Sequence, residues 1–248
     1  LLRSESFKKQ IIFFASGEMN MEFDNATPYL AVDYDAQIRA TIPYYDTFHE
    51  EAINFVKATR KEPHMWLDTG CGTGTFVEKA LFAFPNTHFI LADPSEKMLL
   101  MAKKKLAYVS SDRVEFMKPV VTQDLGDFGK KLDVITAIQS HHYLASGERA
   151  KATKVCFELL PLGGVYITFE NVRPVTPEGI VFGKEYWRHF QLAKGRDAAT
   201  VERNLRRFDV EYFPITIMDH LSLLRKTGFS TAEILWYSYM QAGLYSIK

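Results

Sequence analysis

From residue 64 onward, short apolar runs alternate with segments of helical spacing, and this alternation dominates the chain. Such a pattern predicts βαβ units and a parallel sheet, because each strand is buried on both faces and each crossover needs a helix. The runs Met65–Asp68, His88–Ala92, Val114–Met117, Val134–Ile138 and Val165–Glu170 read as five strands. Helices fit between them over 74–83, over 97–106 with Ser95 as N-cap, and over 148–160, where Pro161 and the Gly163–Gly164 pair end the last one. A helix near Met218–Lys226 should stop at Gly228, and two further β-rich runs, Ala232–Tyr237 and Tyr239–Ile247, bring the strand count to seven.

Two regions break the alternation. Ile38, Ile42, Tyr45, Phe48, Ala52, Phe55 and Val56 share a helical face within 33–60, and Pro43 must interrupt that helix. Residues 178–213 are aromatic, basic and helical in spacing, and read as an insertion that covers a ligand. The expected organisation is a helical segment over 1–60 followed by one α/β domain over 61–248, with the cover segment 178–213 inside it.

Composition narrows the class. Of 248 residues, 47% are apolar and 24% charged, enough for a large core without staples. Thirty basic and thirty acidic side chains cancel, so no global field draws the chain to nucleic acid or an anionic membrane. Cys71 and Cys156 are too few for a disulfide framework or a zinc site, and no metal is expected. No run approaches a membrane span, and Ile11–Ala15, behind Lys8 and Lys9, is too short for a secretion signal. A cytoplasmic location is expected.

The candidate chemistry sits at the first two strand ends. Asp68 closes the first strand and is followed by the turn Gly70-Cys71-Gly72-Thr73-Gly74. Glycines there let the backbone take positive φ and approach a ligand closely. A dinucleotide would lay its pyrophosphate against this turn, where a carboxylate repels it, and Thr75 stands where the nicotinamide fingerprint has its third glycine. A cationic, amino-acid-tailed ligand suits the acid instead. Asp93 ends the second strand, 19 residues after Gly74, placed to accept hydrogen bonds from both hydroxyls of a ribose. Each such charged bond contributes about 1.5–3 kcal/mol.

The runs WLDTGCGTG, FILADPSEKML, LDVITAIQSHHYL and LLPLGGVYITFE, in this order and spacing, resemble the motifs of class I S-adenosylmethionine-dependent methyltransferases. That resemblance implies an α/β, Rossmann-like fold: a seven-stranded, mostly parallel sheet with helices on both faces, a helical lid at the N-terminus and a helical insertion after the fifth strand. It implies S-adenosyl-L-methionine as cofactor, with Asp68, Gly70, Cys71, Gly72 and Gly74 at its methionine end and Asp93 and Pro94 at the ribose. Met98 would pack on the adenine, and Gln139 would approach the sulfonium. Relatives often read the adenine amino group with an acid just after the third strand; here that stretch is Lys118-Pro119-Val120-Val121, which leaves backbone near Val120 for the task. The segment YD-x-x-IR-x-x-IPYYD, the 182–208 insertion and the ending LRKTGFSTAEILWYSYMQAGLYSIK resemble, more narrowly, carboxy-S-adenosylmethionine synthases of tRNA wobble-uridine modification. That likeness would bring Tyr34 and Arg39 to the cofactor's carboxylate, although the glycine loop is the ordinary methyltransferase form.

The resemblance implies an enzyme that transfers the methyl group directly to a small-molecule acceptor. His141 and His142 are candidate general bases, or else histidines that hold the loop, and Trp187, Arg188 and Arg196 are candidate acceptor contacts. No Asn/Asp-Pro-Pro-aromatic motif follows the fourth strand, which disfavours methylation of exocyclic base amines. Lys103–Lys105 and Arg203, Arg206 and Arg207 read as solvated faces. Two rivals remain: an enzyme that builds or uses a carboxylated sulfonium in a tRNA pathway, with Arg188 or Arg196 gripping the carboxylate, and a non-catalytic cofactor-binding partner subunit. A homodimer is compatible with either.

Overall fold

The computed structural model describes residues 24–59 and 62–248, and the Ile11–Ala15 stretch lies outside them. In chain order the elements are α1 (Tyr34–Ile38), α2 (Tyr45–Thr59), β1 (Met65–Thr69), α3 (Thr75–Ala83), β2 (His88–Ala92), α4 (Glu96–Lys105), β3 (Val114–Phe116), β4 (Val134–Ile138), α5 (Ser146–Leu159), β5 (Val165–Asn171), α6 (Pro177–Ala193), α7 (Ala198–Arg206), α8 (Ile217–Thr227), β6 (Thr231–Ser238) and β7 (Gln241–Ile247). Short 3₁₀ turns at Thr122–Asp124 and His141–Tyr143 follow β3 and β4.

The seven strands form one sheet in the order β3-β2-β1-β4-β5-β7-β6. Strands β1 to β5 run parallel, while β7 is antiparallel to both β5 and β6. The order reverses between β1 and β4, and in such sheets the ligand crevice opens outside the carboxyl ends of the strands at that reversal. Trp66, Phe89, Val134 and Phe169 belong to a core on one face, and Leu67, Ile90, Ile135 and Tyr166 to a second core on the other. Strand side chains alternate between faces, so a sheet covered on both sides must be apolar at nearly every central position.

Local chemistry sets the element ends. Ser95 accepts the Met98 N–H at 3.1 Å and caps α4 as its position predicts, and Gly228 ends α8 at φ +118°. The helical stretch expected over 33–60 is two helices, because Pro43 cannot continue the first and Tyr44 turns left-handed at φ +58°. The 178–213 region is α6 and α7, which pack on each other.

Candidate active site

The turn between β1 and α3 has three left-handed glycines, Gly70, Gly72 and Gly74, with φ between +53° and +76°. At Gly70 any side chain is excluded twice over: φ is +69°, and a Cβ would lie 2.4 Å from that of Ser140. The turn is pinned to β2 through Gly70 and Cys71, whose N–H groups donate to the Ala92 carbonyl at 2.8 and 3.0 Å. It is pinned again through Asp93, whose carboxylate accepts Gly72 N–H at 2.9 Å and Ser95 N–H at 2.8 Å.

Asp68 and Asp93 are both buried, and among the described residues no cationic side chain pairs with either. Burial pushes the Asp68 carboxyl up to about 7, with the Asp93 charge adding to the rise while the Thr136 hydroxyl, donating at 2.7 Å, opposes it. Trp66 Nε1 in turn donates to the Thr136 oxygen at 3.0 Å, so a core residue of β1 orients the group that orients Asp68. Burial likewise pushes Asp93 to about 6, against the two backbone N–H bonds. Two buried, uncompensated acids beside a bare backbone turn fit a ligand that brings its own positive charge and hydroxyl donors. S-adenosylmethionine has an ammonium, a sulfonium and a ribose diol. The turn and its two acids therefore fit that cofactor on the chemistry of their polar groups.

The N-terminal segment closes over this turn through a residue that sequence reading passed over. Asp35 in α1 accepts from Thr73 Oγ1 at 2.6 Å and Thr75 Oγ1 at 3.1 Å, and pairs with Lys105 Nζ at 2.6 Å. Burial pushes its carboxyl up, but the bonds from Lys105 and the threonines outweigh that and hold it below the ordinary range. Lys105 is thus no solvated helix face: it fastens α4 to α1. Tyr34 is buried beside Asp35 and lines the adjoining pocket, whereas Arg39 is turned outward onto Asp46 at 2.7 Å. The geometry brings Tyr34 to the site and leaves Arg39 outside it.

That pocket lies beside the ends of β4 and β5. Tyr34, Gln139, Tyr143, Asn171, Trp187 and Tyr212 are among its walls, and Asn204 and Arg207 complete one side. The cover is tied down by Trp187 Nε1, which donates to the Thr41 carbonyl, and by Arg196, which donates to the Gln37 and Ala40 carbonyls. Tyr29 adds its hydroxyl to Thr41 Oγ1 at 2.6 Å and accepts from Asn204 Nδ2 at 3.3 Å. Arg196 therefore fastens the lid rather than facing the pocket, and Arg188 is spent on Glu185 and Glu202. Arg207 departs from its expectation as a solvated residue. Arg203 and Arg206 are exposed on α7, but the helix ends at Arg206 and the turn after it directs Arg207 inward. Its guanidinium bonds the Ala26 carbonyl at 2.7 Å and Glu211 at 2.5 Å.

Neither His141 nor His142 lines the pocket. Both are buried, and burial lowers both rings, His141 to about 4. His141 contacts Thr122 Oγ1 and Tyr166 Oη through its two ring nitrogens, and His142 contacts Glu170 and Asn171. The structure makes them neutral framework groups and corrects their reading as free bases. The Val120 N–H is also committed, donating to the Asp93 carbonyl at 3.1 Å, so it cannot read an adenine edge. Met98 is buried at the foot of α4, Pro94 is exposed, and Cys71 is a buried thiol that burial pushes far above its usual range. No group of three or more metal-ligating side chains occurs among the described residues.

Comparison with known proteins matches residues 67–166 to a methyltransferase domain model. The chain is 24% identical over 204 residues to a carboxy-S-adenosyl-L-methionine synthase of Trichodesmium erythraeum, covering 82% of this chain and 79% of that protein. Among solved structures, the plantazolicin methyltransferase BpumL superposes with a TM-score of 0.65 at 15% identity, covering 88% of this chain and 89% of that one. An O-methyltransferase family protein from Burkholderia thailandensis gives 0.60 at 18% identity over 86% of this chain; the chain spans 57% of its length. These structural likenesses bear on the fold. The match of residues 67–166 to a methyltransferase domain, with the paired strand-end acids and the glycine turn, makes the chain an enzyme with S-adenosylmethionine as its cofactor.

Proposed function

We propose that the chain transfers the cofactor's methyl group directly to a small-molecule acceptor bound in the pocket beside β4 and β5. The observation that carries this reading is a pair of buried, uncompensated carboxylates, Asp68 and Asp93, at adjacent strand ends, opening next to an aromatic and amide-lined pocket. The cofactor supplies a methyl group already activated by positive sulfur. What remains for the protein is to align the acceptor and exclude water. Asp68 balances positive charge, Asp93 holds the ribose diol, and the α1 clamp through Asp35 with the Trp187 and Arg196 ties keeps the pocket covered. The residues of the lid and cover, 24–48 and 177–212, would move as the acceptor enters.

Calorimetry with S-adenosylhomocysteine should show binding, and methyl-labelled cofactor should label a component of a small-molecule extract. A label that appears only in tRNA or protein would overturn the choice of acceptor, and no binding would overturn the whole reading.

A second reading has support from two observations. Relatives named carboxy-S-adenosyl-L-methionine synthase match at 20–24% identity over 82–95% of the chain. Arg207 also brings a buried guanidinium to the pocket; its Nε and Nη2 are held by Glu211 and the Ala26 carbonyl, so a ligand carboxylate there would meet Nη1 or displace Glu211. Incubation with S-adenosylmethionine and prephenate, read by mass spectrometry, distinguishes the two: a carboxylated sulfonium favours the synthase reading, and unchanged cofactor removes it.

A further inference from the structure

Behind the pocket, five side chains from β4, β5, β7 and the His141–Tyr143 turn form a continuous hydrogen-bonded chain. It begins at Glu170, which is fully buried. Its carboxylate accepts from His141 N–H at 3.2 Å, Thr168 Oγ1 at 2.6 Å and His142 N–H at 2.8 Å, and the His142 ring Nδ1 stands 2.8 Å away. Arg149, His141, His220, Tyr143 and Tyr166 are the other titratable groups facing it. With these donors Glu170 stays ionised, well below the usual carboxylate range despite its burial. An ionised carboxylate has no proton to give, so His142 Nδ1 must carry one. The Asn171 backbone N–H, 3.4 Å from the same nitrogen, is too distant to compete.

The direction of every later bond follows. The His142 ring is neutral, so with its proton on Nδ1 its Nε2 is a bare acceptor, and Asn171 must turn its Nδ2 toward it, at 3.2 Å. The Asn171 oxygen then faces Gln241 Nε2 at 2.5 Å, and the Gln241 oxygen faces Gln139 Nε2 at 2.9 Å. Reversing any amide would set two oxygens or two N–H groups against each other inside a buried network, at a cost of about 1–3 kcal/mol per broken bond. Gln139 itself is held at the end of β4 in a left-handed conformation, φ +55°, by its N–H bond to the Phe169 carbonyl at 2.6 Å. Its Nε2 is used within the chain, and among the described residues no donor reaches its Oε1.

We infer that the buried Glu170–His142–Asn171–Gln241 chain fixes the amide of Gln139 so that it presents its carbonyl oxygen to the pocket, making Gln139 a selector for a positively charged or hydrogen-bond-donating group beside β4. Glu170, His142, Asn171 and Gln241 are positioning residues in this scheme, and Gln139 alone touches ligand. The inference rests on the proposed placement of the cofactor, because the group Gln139 meets would be the positive sulfur or the donor hydrogen of the incoming acceptor. A neutral thioether in the same place offers its oxygen nothing.

Sinefungin, an adenosyl amino acid with an amine where the cofactor has its methyl-bearing sulfur, tests this against S-adenosylhomocysteine. Calorimetry on the wild-type chain should show sinefungin binding about ten- to a hundredfold tighter, the equivalent of one charge-assisted hydrogen bond. Gln241→Met, which breaks the chain outside the pocket, should bring the two ligands to within a few-fold while adenosine binding stays unchanged. An undiminished preference in that variant would overturn the inference. A second measurement needs no ligand. Long-range ¹⁵N NMR of the wild-type protein at neutral pH, with the His142 ring assigned against His142→Gln, should show the Nδ1–H tautomer; Nε2–H would overturn the chain's polarity. Failure of every adenosyl ligand to bind, with the Nδ1–H tautomer present, would sink the placement of the cofactor and leave the polarity standing.

Discussion

Replacing Asp68 by Asn separates the two tasks of a buried acid, because it should strengthen the empty protein and weaken its grip on the cofactor. The side chain is 2% exposed, so solvent screens it little. Its carboxyl titrates near 7 in the folded chain against an ordinary 3.8. Between these values the unfolded chain has released the proton while the folded chain retains it, so this residue's contribution to stability declines as pH rises through that window. Above pH 7 the accumulated cost is roughly 4 kcal/mol. Asn keeps the bond to Thr136 and removes the charge, so at pH 8 the ligand-free variant should gain up to that amount, about 2–4 °C in Tm for each kcal/mol. Cofactor binding moves the other way. Loss of one charge-assisted interaction should weaken S-adenosylmethionine about ten- to a hundredfold at pH 8. Wild-type affinity should also fall about tenfold per pH unit below pH 7, as Asp68 takes up the proton that binding must expel. The variant should lack that slope until Asp93 begins to protonate near 6. Differential scanning calorimetry on the ligand-free proteins and isothermal titration from pH 6 to 8.5 read both effects. A variant that is less stable than wild type and binds with the same pH slope would refute the reasoning.

Other expectations can be measured as directly. Asp93→Ala should weaken S-adenosylhomocysteine about ten- to a hundredfold by calorimetry, since its carboxylate would hold the ribose as well as the Gly72 N–H. Gly70→Ala should lower stability by more than about 1–2 kcal/mol in denaturant titration, from the left-handed backbone alone, before the clash with Ser140 is added. Tyr212→Phe should leave Tm unchanged or raise it slightly, because among the described residues its buried hydroxyl has no partner; reduced turnover with an identified acceptor would show that the hydroxyl serves the ligand. Asp35→Ala should speed proteolysis of the N-terminal segment and weaken cofactor binding, as the contact of α1 with the glycine turn and Lys105 is lost.

Most of what was legible beforehand is local in sequence. The strand and helix boundaries fall within about two residues of their expected positions, because β-branched runs, Ser95, Pro161 and Gly228 act on their own neighbourhoods. The glycine turn and the two strand-end acids lie within one stretch from 68 to 93, so their spacing alone suggests a cationic nucleoside ligand. Contacts that join distant segments have no such signal. Asp35 meets Lys105 across 70 residues, and Gln139 meets Gln241 across 102. His141 and His142 follow β4 where a base would be useful, yet only the packing of β5 and α8 decides that their rings are enclosed. Arg207 shares a basic run with two exposed arginines and is separated from them only by where α7 ends. Periodicity reports which face of an element is buried; it does not report which element arrives to bury it. The sequence by itself therefore determined the sheet, the turn and the two carboxylates. The tertiary structure decided which cations, amides and hydroxyls surround them, because those partners are chosen by three-dimensional closure between segments far apart along the chain.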